Sequence, residues 1–331
     1  MKAAIVGLSG PVLTGEEAAL LRAHPPAGIV LFARNVADPA QLAALMAALR
    51  TMLASDAVLM VDQEGGRVAR LRPPHWRAHP PAARIGRLHE ADATAGLRAA
   101  WLTGALIGAE CRHAGFDVVA APVLDLLYPD ANSAVVGDRS FAPEPEAVAA
   151  LGRAMADGLL AAGVIPVGKH APGHGRARVD SHATLPRVDA ADLDADLLPF
   201  ARNADLPWMM TAHILYAALD PATPATLSGP VIARIIRGRI GFEGVLVSDD
   251  LAMNALSGPA SERALVALAA GCDLALHCSG QPADNAAVLG ACPEVTGAAA
   301  ARMAAGARLA ARLRLDLDTA ALAAERDRLL A

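Results

Sequence analysis

The chain has 331 residues, carries a net charge of −5 at pH 7, and is 54% hydrophobic but only 3% aromatic. This length suits one large α/β domain or two smaller domains. Acidic and basic residues are interleaved along the chain, which argues against nucleic acid or an anionic membrane as the main partner.

The sequence shows no sign of a disulfide, a zinc site or a membrane span. The cysteines Cys111, Cys272, Cys278 and Cys292 form no Cys-x-x-Cys pair and stand near no histidine at zinc spacing, so we expect buried, reduced thiols. The first apolar run, residues 3–8, is shorter than the roughly 7–15 residues of a secretory signal. No segment reaches the roughly 18 consecutive apolar residues of a membrane helix. We therefore predict a cytoplasmic protein without metal, cofactor or membrane partner.

Short apolar runs alternate with longer stretches of helical periodicity. Each run is continuous in Val, Ile, Leu and Met, which is typical of parallel strands that are covered on both faces. The eight predicted strands are Ala3–Leu8, Gly28–Ala33, Ala57–Asp62, Phe116–Pro122, Val164–Lys169, Trp208–His213, Gly244–Asp249 and Asp273–His277.

Helix-start signals mark the first two helices. Thr14 precedes the stretch Gly15–Ala23, and Glu17 stands at the capping-box spacing. Asp38 precedes Pro39–Met52, with proline at the first helical position. Further helices are predicted at about 92–114, 144–162, 190–203, 229–240, 259–270 and 282–291, and two more follow the last strand at about 295–313 and 317–330.

Eight strands, each followed by a helix, predict an α/β fold: a (β/α)₈ TIM barrel formed by a single domain, residues 1–331, with extra C-terminal helices. The alternative is an open doubly wound sheet. That fold expects a Gly-x-Gly-x-x-Gly turn after the first strand, and Gly7-Leu-Ser-Gly10-Pro does not supply it. The proline-rich piece Arg72–Pro81 predicts a surface loop rather than a domain boundary.

Polar residues stand where the predicted strands end, and in a barrel the C-terminal strand ends gather the functional side chains. The strand-end residues are Asp62, Lys169, His170, His213, Asp249, Asp250 and His277. One such residue is ordinary, but several on the same face are hard to explain by packing alone. The pattern predicts an active or binding site at this face.

Asp249 and Asp250 are consecutive at the end of the seventh strand. Side chains alternate along a strand, so the two carboxylates cannot face the mouth of the barrel equally. One could act as a nucleophile or base while the other caps the next helix or forms a salt bridge. Alternation alone does not decide between them.

Asp180 and His182 form an acid–histidine pair after the fifth strand. In an extended loop, side chains two residues apart project to the same side and can hydrogen-bond. A carboxylate partner stabilises the protonated imidazole, which can then act as a general acid near neutral pH. The alternative is a loop salt bridge.

Three basic residues accompany these acids. Lys169 ends a buried strand beside His170, and a buried lysine needs carboxylates or substrate oxygens as partners. Arg70 and Arg139 offer planar forks of donors that suit bidentate polar contacts. Each arginine taken alone could equally form a surface ion pair.

Four segments together resemble the family 3 glycoside hydrolases. They are DQEGGRVARL at 62–71, GDRSF at 137–141, KHAPGHGRARVDSH at 169–182 and GFEGVLVSDDLAM at 241–253. The similarity runs in motif order from the third to the seventh strand and is greatest to the single-domain bacterial β-N-acetylglucosaminidases. Ala171 stands where those proteins carry a bulkier apolar residue.

The resemblance implies a retaining glycosidase that works by double displacement. It assigns the nucleophile to Asp249 and the acid/base to His182, with Asp180 as the partner of that histidine. It implies that the non-reducing N-acetylglucosamine is held by Asp62, Arg70, Arg139, Lys169 and His170.

The resemblance also implies a small carbohydrate substrate such as N-acetylglucosaminyl-β-1,4-anhydro-N-acetylmuramic acid, with or without its peptide, in cell-wall recycling. Within the family, a β-glucosidase or β-xylosidase stays open. A metal-dependent hydrolase on the same barrel would favour His-x-His at the end of the first strand, which is missing. A non-catalytic sugar-binding barrel would not need both Asp249 and His182.

Overall fold

A computed structural model of the protein describes residues 1–129, 135–179, 181 and 184–331. Eight parallel strands close into a barrel in the order β1-β2-β3-β4-β5-β7-β9-β10, and β10 pairs with β1. The ten strands are β1 Lys2–Gly7, β2 Pro26–Leu31, β3 Val58–Val61, β4 Val118–Val119, β5 Ile165–Ala171, β6 Arg187–Val188, β7 Trp208–Thr211, β8 Leu215–Tyr216, β9 Val245–Asp250 and β10 Leu274–His277. The predicted (β/α)₈ barrel is thereby confirmed.

The closure of the barrel rules out the open sheet. Ile5 in β1 pairs on one side with Gly28 in β2 and on the other side with Leu276 in β10. The first strand therefore has neighbours on both sides and no free edge, as barrel closure requires.

Helices surround this barrel. They are α1 Gly15–Ala23, α2 Pro39–Met52, α3 Ala82–Ala91, α4 Ala93–His113, α5 Pro145–Ala161, α6 Asp194–Ala201, α7 Ala260–Ala270, α8 Pro282–Ala291, α9 Gly297–Leu313 and α10 Thr319–Leu329. Between β8 and β9 the chain forms a π-helix, Val231–Arg239, where an α-helix was predicted. No helix in the described part of the chain is long and apolar enough to cross a bilayer.

The predicted helix caps are present. The Thr14 hydroxyl accepts a hydrogen bond from the Glu17 amide at 3.1 Å, and the Glu17 carboxylate accepts one from the Thr14 amide at 2.9 Å. The Asp38 carboxylate accepts from the Gln41 amide at 2.9 Å. All four cysteines are buried and free, as predicted.

The alternation of strand side chains builds two cores. Ile5, Val30 and Met60 face the barrel interior, whereas Val6 and Ile29 face the surrounding helices. Both faces of each strand are covered, which explains the continuous apolar runs in the sequence. Side chains of α9 also pack against the interior cluster, so this helix covers one end of the barrel.

Three local features differ from the predictions. Strand β4 pairs only over Val118–Val119, because the Ala121 amide bonds back to the Val119 carbonyl and Pro122 has no amide hydrogen to donate. Helix α3 was missed because Ile85 and Leu88 are its only large apolar residues. The short parallel pair of β6 and β8 was also missed, because two-residue strands leave no periodic pattern.

Candidate active site

A cavity of about 120 Å³ opens at the mouth of the barrel, where the strands end. This is several times the space that one ordered water requires. Its walls combine polar strand-end residues with apolar side chains such as Met60 and Met210. The lining includes six of the residues predicted from sequence: Asp62, Arg70, Arg139, Lys169, His170 and Asp249.

Lys169 is the buried cation at the centre of the polar wall. Its side chain is 2% exposed, and its Nζ lies 2.5 Å from Asp62 Oδ1 and 2.6 Å from Glu64 Oε1. Burial alone would lower the pKa of Lys169, but the charges of Asp62 and Glu64 outweigh burial and raise it. The lysine is therefore protonated at neutral pH and joins β3 to β5.

Glu64 is a charged residue of the site that the sequence analysis did not single out. Its carboxylate accepts from Arg139 Nε at 2.9 Å and from Arg139 Nη2 at 2.8 Å. Burial would raise the pKa of Glu64, but Arg139 and Lys169 hold it well below the ordinary range. The only sequence signal was its position two residues after Asp62, on a loop that turns through Gly65 and Gly66 with positive φ.

The loop after β3 also brings the Arg70 side chain into contact with Asp62. Arg70 Nη2 donates to Asp62 Oδ2 at 2.8 Å, and its guanidinium lies 5.1 Å from the centre of the Phe32 ring. The Gln63 side chain holds the loop closed, because its oxygen accepts from the amides of Arg70 and Leu71 at 2.6 and 3.1 Å. Asp62 thus lies between two cations at the edge of the cavity.

Asp125 is a second residue that the sequence reasoning missed. This fully buried carboxylate accepts from His170 Nδ1 at 2.7 Å and from the His174 amide at 2.6 Å. Burial would raise the pKa of Asp125, but the neighbouring His170 lowers it. The only feature of the sequence that pointed to Asp125 is its position as a single acidic residue in the apolar run after the fourth strand.

Asp125 fixes the orientation of His170. With Nδ1 bonded to Asp125, the other ring nitrogen of His170 lies 3.5 Å from Arg139 Nη2, which can only donate. The peptide bond between Lys169 and His170 is cis. Both side chains line the cavity.

The structure distinguishes the two consecutive acids. Asp250 Oδ1 accepts from the amides of Ala252 and Cys278, at 2.8 and 2.9 Å, and so joins the loop after β9 to the end of β10. Asp249 accepts only the amide of Asp250 within the described contacts, at 2.8 Å. Both residues line the cavity, but the Asp250 carboxylate is already held by the backbone.

Asp249 is ionised at neutral pH. Burial would raise its pKa, but His213, His170 and the Asp250 amide lower it to about 2. His174, on the opposite loop, has its pKa lowered to about 4 by burial and by the neighbouring His170. That imidazole is therefore neutral at pH 7.

The two remaining strand-end histidines lie outside the cavity wall. His213 is fully buried and contacts Thr226 and the Asp250 carbonyl. His277 is also buried; burial lowers its pKa, and its Nε2 lies 2.9 Å from Ser279 Oγ. Neither histidine is in contact with the cavity.

The predicted pair of Asp180 and His182 lies outside the described residues. Ser181, which stands between them in the sequence, is described and buried, and it lines the cavity. Its hydroxyl lies 3.3 Å from His174 Nε2.

The sequence of the chain matches a known family of enzymes. Residues 8–309 match the Glycosyl hydrolase family 3 N terminal domain. The chain belongs to glycoside hydrolase family 3. This confirms the resemblance found in the motifs, and the protein is a glycoside hydrolase.

Individual members of the family are similar over most of their length. A β-hexosaminidase of Alkalilimnicola ehrlichii is 43% identical over 283 residues, which cover 83% of this chain and 80% of that protein. The crystal structure of NagZ from Neisseria gonorrhoeae in complex with N-trifluoroacetyl-D-glucosamine matches with a TM-score of 0.88 at 32% identity, covering 100% of this chain and 98% of that one. A β-N-acetylhexosaminidase from Beutenbergia cavernae matches with a TM-score of 0.76 at 29% identity, covering 94% of each chain.

Family membership favours a glycosidase over the metal-dependent hydrolase that the sequence left open. Within residues 1–129, 135–179, 181 and 184–331, no group of three or more His, Cys, Asp or Glu is placed to hold a metal ion.

Replacing Glu64 by Gln tests the ion network of this glycoside hydrolase. At pH 7 the variant should lose about 3 kcal/mol of unfolding free energy, because Arg139 and Lys169 lose a buried counter-charge. The folded-state pKa of Glu64 lies below its ordinary value of 4.5, so its contribution is complete above about pH 4.5 and is lost as the pH falls. The difference from wild type should therefore shrink on acidification. Urea denaturation from pH 7 down to pH 3 measures both effects.

Glu325→Gln is the matched control. Glu325 also forms a double hydrogen bond with an arginine, Arg98, but on the surface, where such pairs contribute little. Equal stability losses in the two variants, or a Glu64→Gln difference that grows below pH 4.5, would contradict the electrostatic interpretation.

Proposed function

We propose that the protein is a retaining exo-β-N-acetylglucosaminidase that works through a covalent glycosyl-aspartate, with residues 1–331 acting as one domain. The observation that carries the proposal is an ionised Asp249 in a small cavity whose wall holds fixed charged groups. The similarity to a β-hexosaminidase and to NagZ with a bound glucosamine derivative supports the choice of sugar.

Asp249 is the proposed nucleophile. The Asp250 carboxylate is engaged by two backbone amides across a strand junction, so moving it onto a sugar would break both bonds. In the described contacts, Asp249 accepts only the amide of its neighbour Asp250, and it faces the cavity. Its low pKa keeps it in the anionic form that attack at an anomeric carbon requires.

The polar wall is the proposed sugar-binding surface. Hydroxyl groups both donate and accept, and the wall offers Asp62 as an acceptor beside the cations Lys169 and Arg70. Arg139 and His170 extend the same surface. Their mutual ion pairs hold them in place before sugar arrives, which lowers the entropy cost of binding.

His182 is the proposed acid/base, with Asp180 as its partner. The described histidine of the same loop, His174, is neutral at pH 7 because its pKa is lowered to about 4, so it is a poor proton donor there. Ser181 lines the cavity, which is consistent with a role for its sequence neighbours. The motif shared with the family supports the same assignment.

The reaction follows in two steps. Asp249 forms a bond to C1 while the glycosidic bond breaks, and His182 gives its proton to the leaving oxygen. A water then attacks C1, His182 takes a proton from that water, and the bond to Asp249 breaks. Two inversions at C1 leave the β-configuration unchanged.

The proposed natural substrate is an N-acetylglucosaminyl-anhydro-N-acetylmuramic acid with or without peptide, cleaved during cell-wall recycling in the cytoplasm. Such an aglycone carries carboxylates. A groove of about 290 Å³ is lined by Arg176, Arg178 and Arg187 together with Tyr128 and Asp189. Arg176 stands two residues after the cavity residue His174, so the same loop contributes to both the cavity and the groove.

Asp249→Asn should lower kcat at least about a thousand-fold while sugar binding stays measurable, because the amide cannot displace the leaving group. A slow-release fluorosugar should add covalent mass to Asp249 in the wild type, as seen by peptide mass spectrometry. Asp250→Asn is the control, since the amide oxygen can still accept from Ala252 and Cys278. Mass on Asp250, or NMR detection of an inverted product, would refute the nucleophile.

His182→Ala should slow substrates with poor leaving groups by roughly 10²- to 10⁴-fold, the usual range for a general acid. Activated aryl glycosides need little protonation, so their first step should change far less. Steady-state kinetics over aryl leaving groups of graded acidity measures the difference, with the exposed His113→Ala as control. The same loss for every leaving group would rule out an acid role.

One substrate panel tests the sugar and the aglycone together. Wild type should prefer an aryl N-acetylglucosaminide to the matching glucoside and xyloside.

In the double variant Arg178→Gln/Arg187→Gln, the kcat/KM ratio of the acidic disaccharide to the aryl substrate should fall about ten-fold, because charge-assisted bonds are lost. Arg202→Gln, at an exposed arginine of another surface, is the control. An unchanged ratio would separate the arginine groove from aglycone binding.

A further inference from the structure

His213 is a fully buried histidine whose ring lies between two backbone segments of the barrel. Its Nε2 is 2.8 Å from the Asp250 carbonyl oxygen, and its Nδ1 is 2.9 Å from Thr226 Oγ1. It directly follows Ala212 at the end of β7, the strand that pairs with β9. Both nitrogens of the ring therefore have a fixed partner.

The protons in this network can be placed one by one. A carbonyl oxygen only accepts, so His213 Nε2 donates to Asp250, and the Thr226 hydroxyl donates to the Ala212 carbonyl at 2.9 Å. That uses the single proton of Thr226. Its oxygen must then accept from His213 Nδ1, and also from the Thr211 hydroxyl at 2.8 Å. All of these bonds exist together only when both ring nitrogens carry protons.

A neutral ring breaks this pattern. Nδ1 would then need the Thr226 proton, and the bond to the Ala212 carbonyl would be lost. Thr211, Thr226 and His213 are each fully buried, and a buried polar group without a partner is costly. The geometry therefore favours the imidazolium.

The His213 ring also contacts the backbone next to Asp249, the proposed nucleophile. The ring holds the Asp250 carbonyl, while the Asp249 amide donates to Thr211 Oγ1 at 3.2 Å, which leads back to the ring through Thr226. Hydrogen bonds from His213 thus reach the backbone on both sides of Asp249.

We propose that His213 is a doubly protonated positioning residue that serves as the counter-ion of Asp249 and fixes its backbone. The inference rests on the proposed role of Asp249 as nucleophile and goes beyond it. His213 touches neither the cavity nor, by this proposal, the sugar.

Among the charged groups around His213, Asp249 is the proposed counter-ion. The charged and titratable groups on the adjoining elements include Lys169 and His170 on β5, His174 on the following loop, Asp249 and Asp250 on β9, His277 on β10, and the thiols of Cys272 and Cys278 before and after β10. Of the two acids, Asp250 is bonded to backbone amides. After burial, which raises the pKa of Asp249, attraction to His213 is the largest influence that lowers it.

A fixed cation should matter most when Asp249 leaves the sugar. The covalent intermediate is a neutral ester, and its hydrolysis regenerates the carboxylate. Without the imidazolium, the carboxylate is less stable relative to the ester, so the second step slows and the intermediate accumulates. Slower breakdown lowers kcat and KM together, which a general loss of packing would not do.

The variant that tests this is His213→Gln, whose amide can still donate to the Asp250 carbonyl but carries no charge. On an activated dinitrophenyl N-acetylglucosaminide, for which the second step limits turnover, kcat and KM should both fall about ten-fold. The steady-state fraction of glycosylated Asp249, read by intact-protein mass spectrometry, should rise several-fold. His277→Gln, at a buried histidine of β10, should leave all three quantities near wild type.

A measurement on the wild type keeps the proposal testable if the variant does not fold. Long-range ¹⁵N NMR distinguishes an imidazolium, whose two nitrogens are nearly equivalent, from a neutral ring. The His213 signal, assigned by contacts of its ring protons with the Thr226 methyl, should show two protonated nitrogens at pH 7. A neutral ring at pH 7 would overturn the proposal.

The outcomes separate the two proposals. If the wild type does not label Asp249 with the fluorosugar, the proposed function fails at its nucleophile. If Asp249 is labelled but His213→Gln shows no accumulation, or lowers kcat while KM stays constant, only the role of His213 is wrong.

Discussion

The mutual neutralisation of buried charges at the barrel mouth is the constraint on which the rest of the site depends. Lys169 cannot remain ionised in an apolar barrel without Asp62 and Glu64, and those acids in turn need Arg70 and Arg139. These contacts join β3, β5 and two loops into one unit. Removing any member of the polar wall therefore leaves another charge uncompensated.

Two further buried groups lie behind residues of the cavity wall. The anion Asp125 lies behind His170 and fixes which ring nitrogen faces the cavity, while the cation proposed at His213 lies behind Asp249. Each is a buried group that acts through a residue in the cavity wall rather than on the sugar. On the proposed mechanism, the barrel thus provides orientation from behind the wall, while β9 and the loop after β5 provide the residues for the chemistry.

The arrangement also shows why the charges of this site persist at neutral pH. Burial disfavours every ionised carboxylate here, yet the pKa values of Glu64, Asp125 and Asp249 all lie below their ordinary values. In each case neighbouring positive groups exceed the cost of desolvation. The proposed covalent mechanism needs this balance, because a protonated carboxyl does not attack C1.

The sequence by itself determined the eight strands, the caps at Thr14 and Asp38, and the residues that gather at the strand ends. Those features follow from local periodicity and from motifs of adjacent residues. Tertiary structure alone decided the partners: Lys169 meets Asp62 across 107 positions of the chain, and His170 meets Asp125 across 45. It also distinguished the two consecutive acids, because the Asp250 carboxylate accepts the amide of Cys278, which directly follows the neighbouring strand β10. Local sequence patterns do not predict such pairings, because only closure of the barrel brings those atoms within hydrogen-bonding distance.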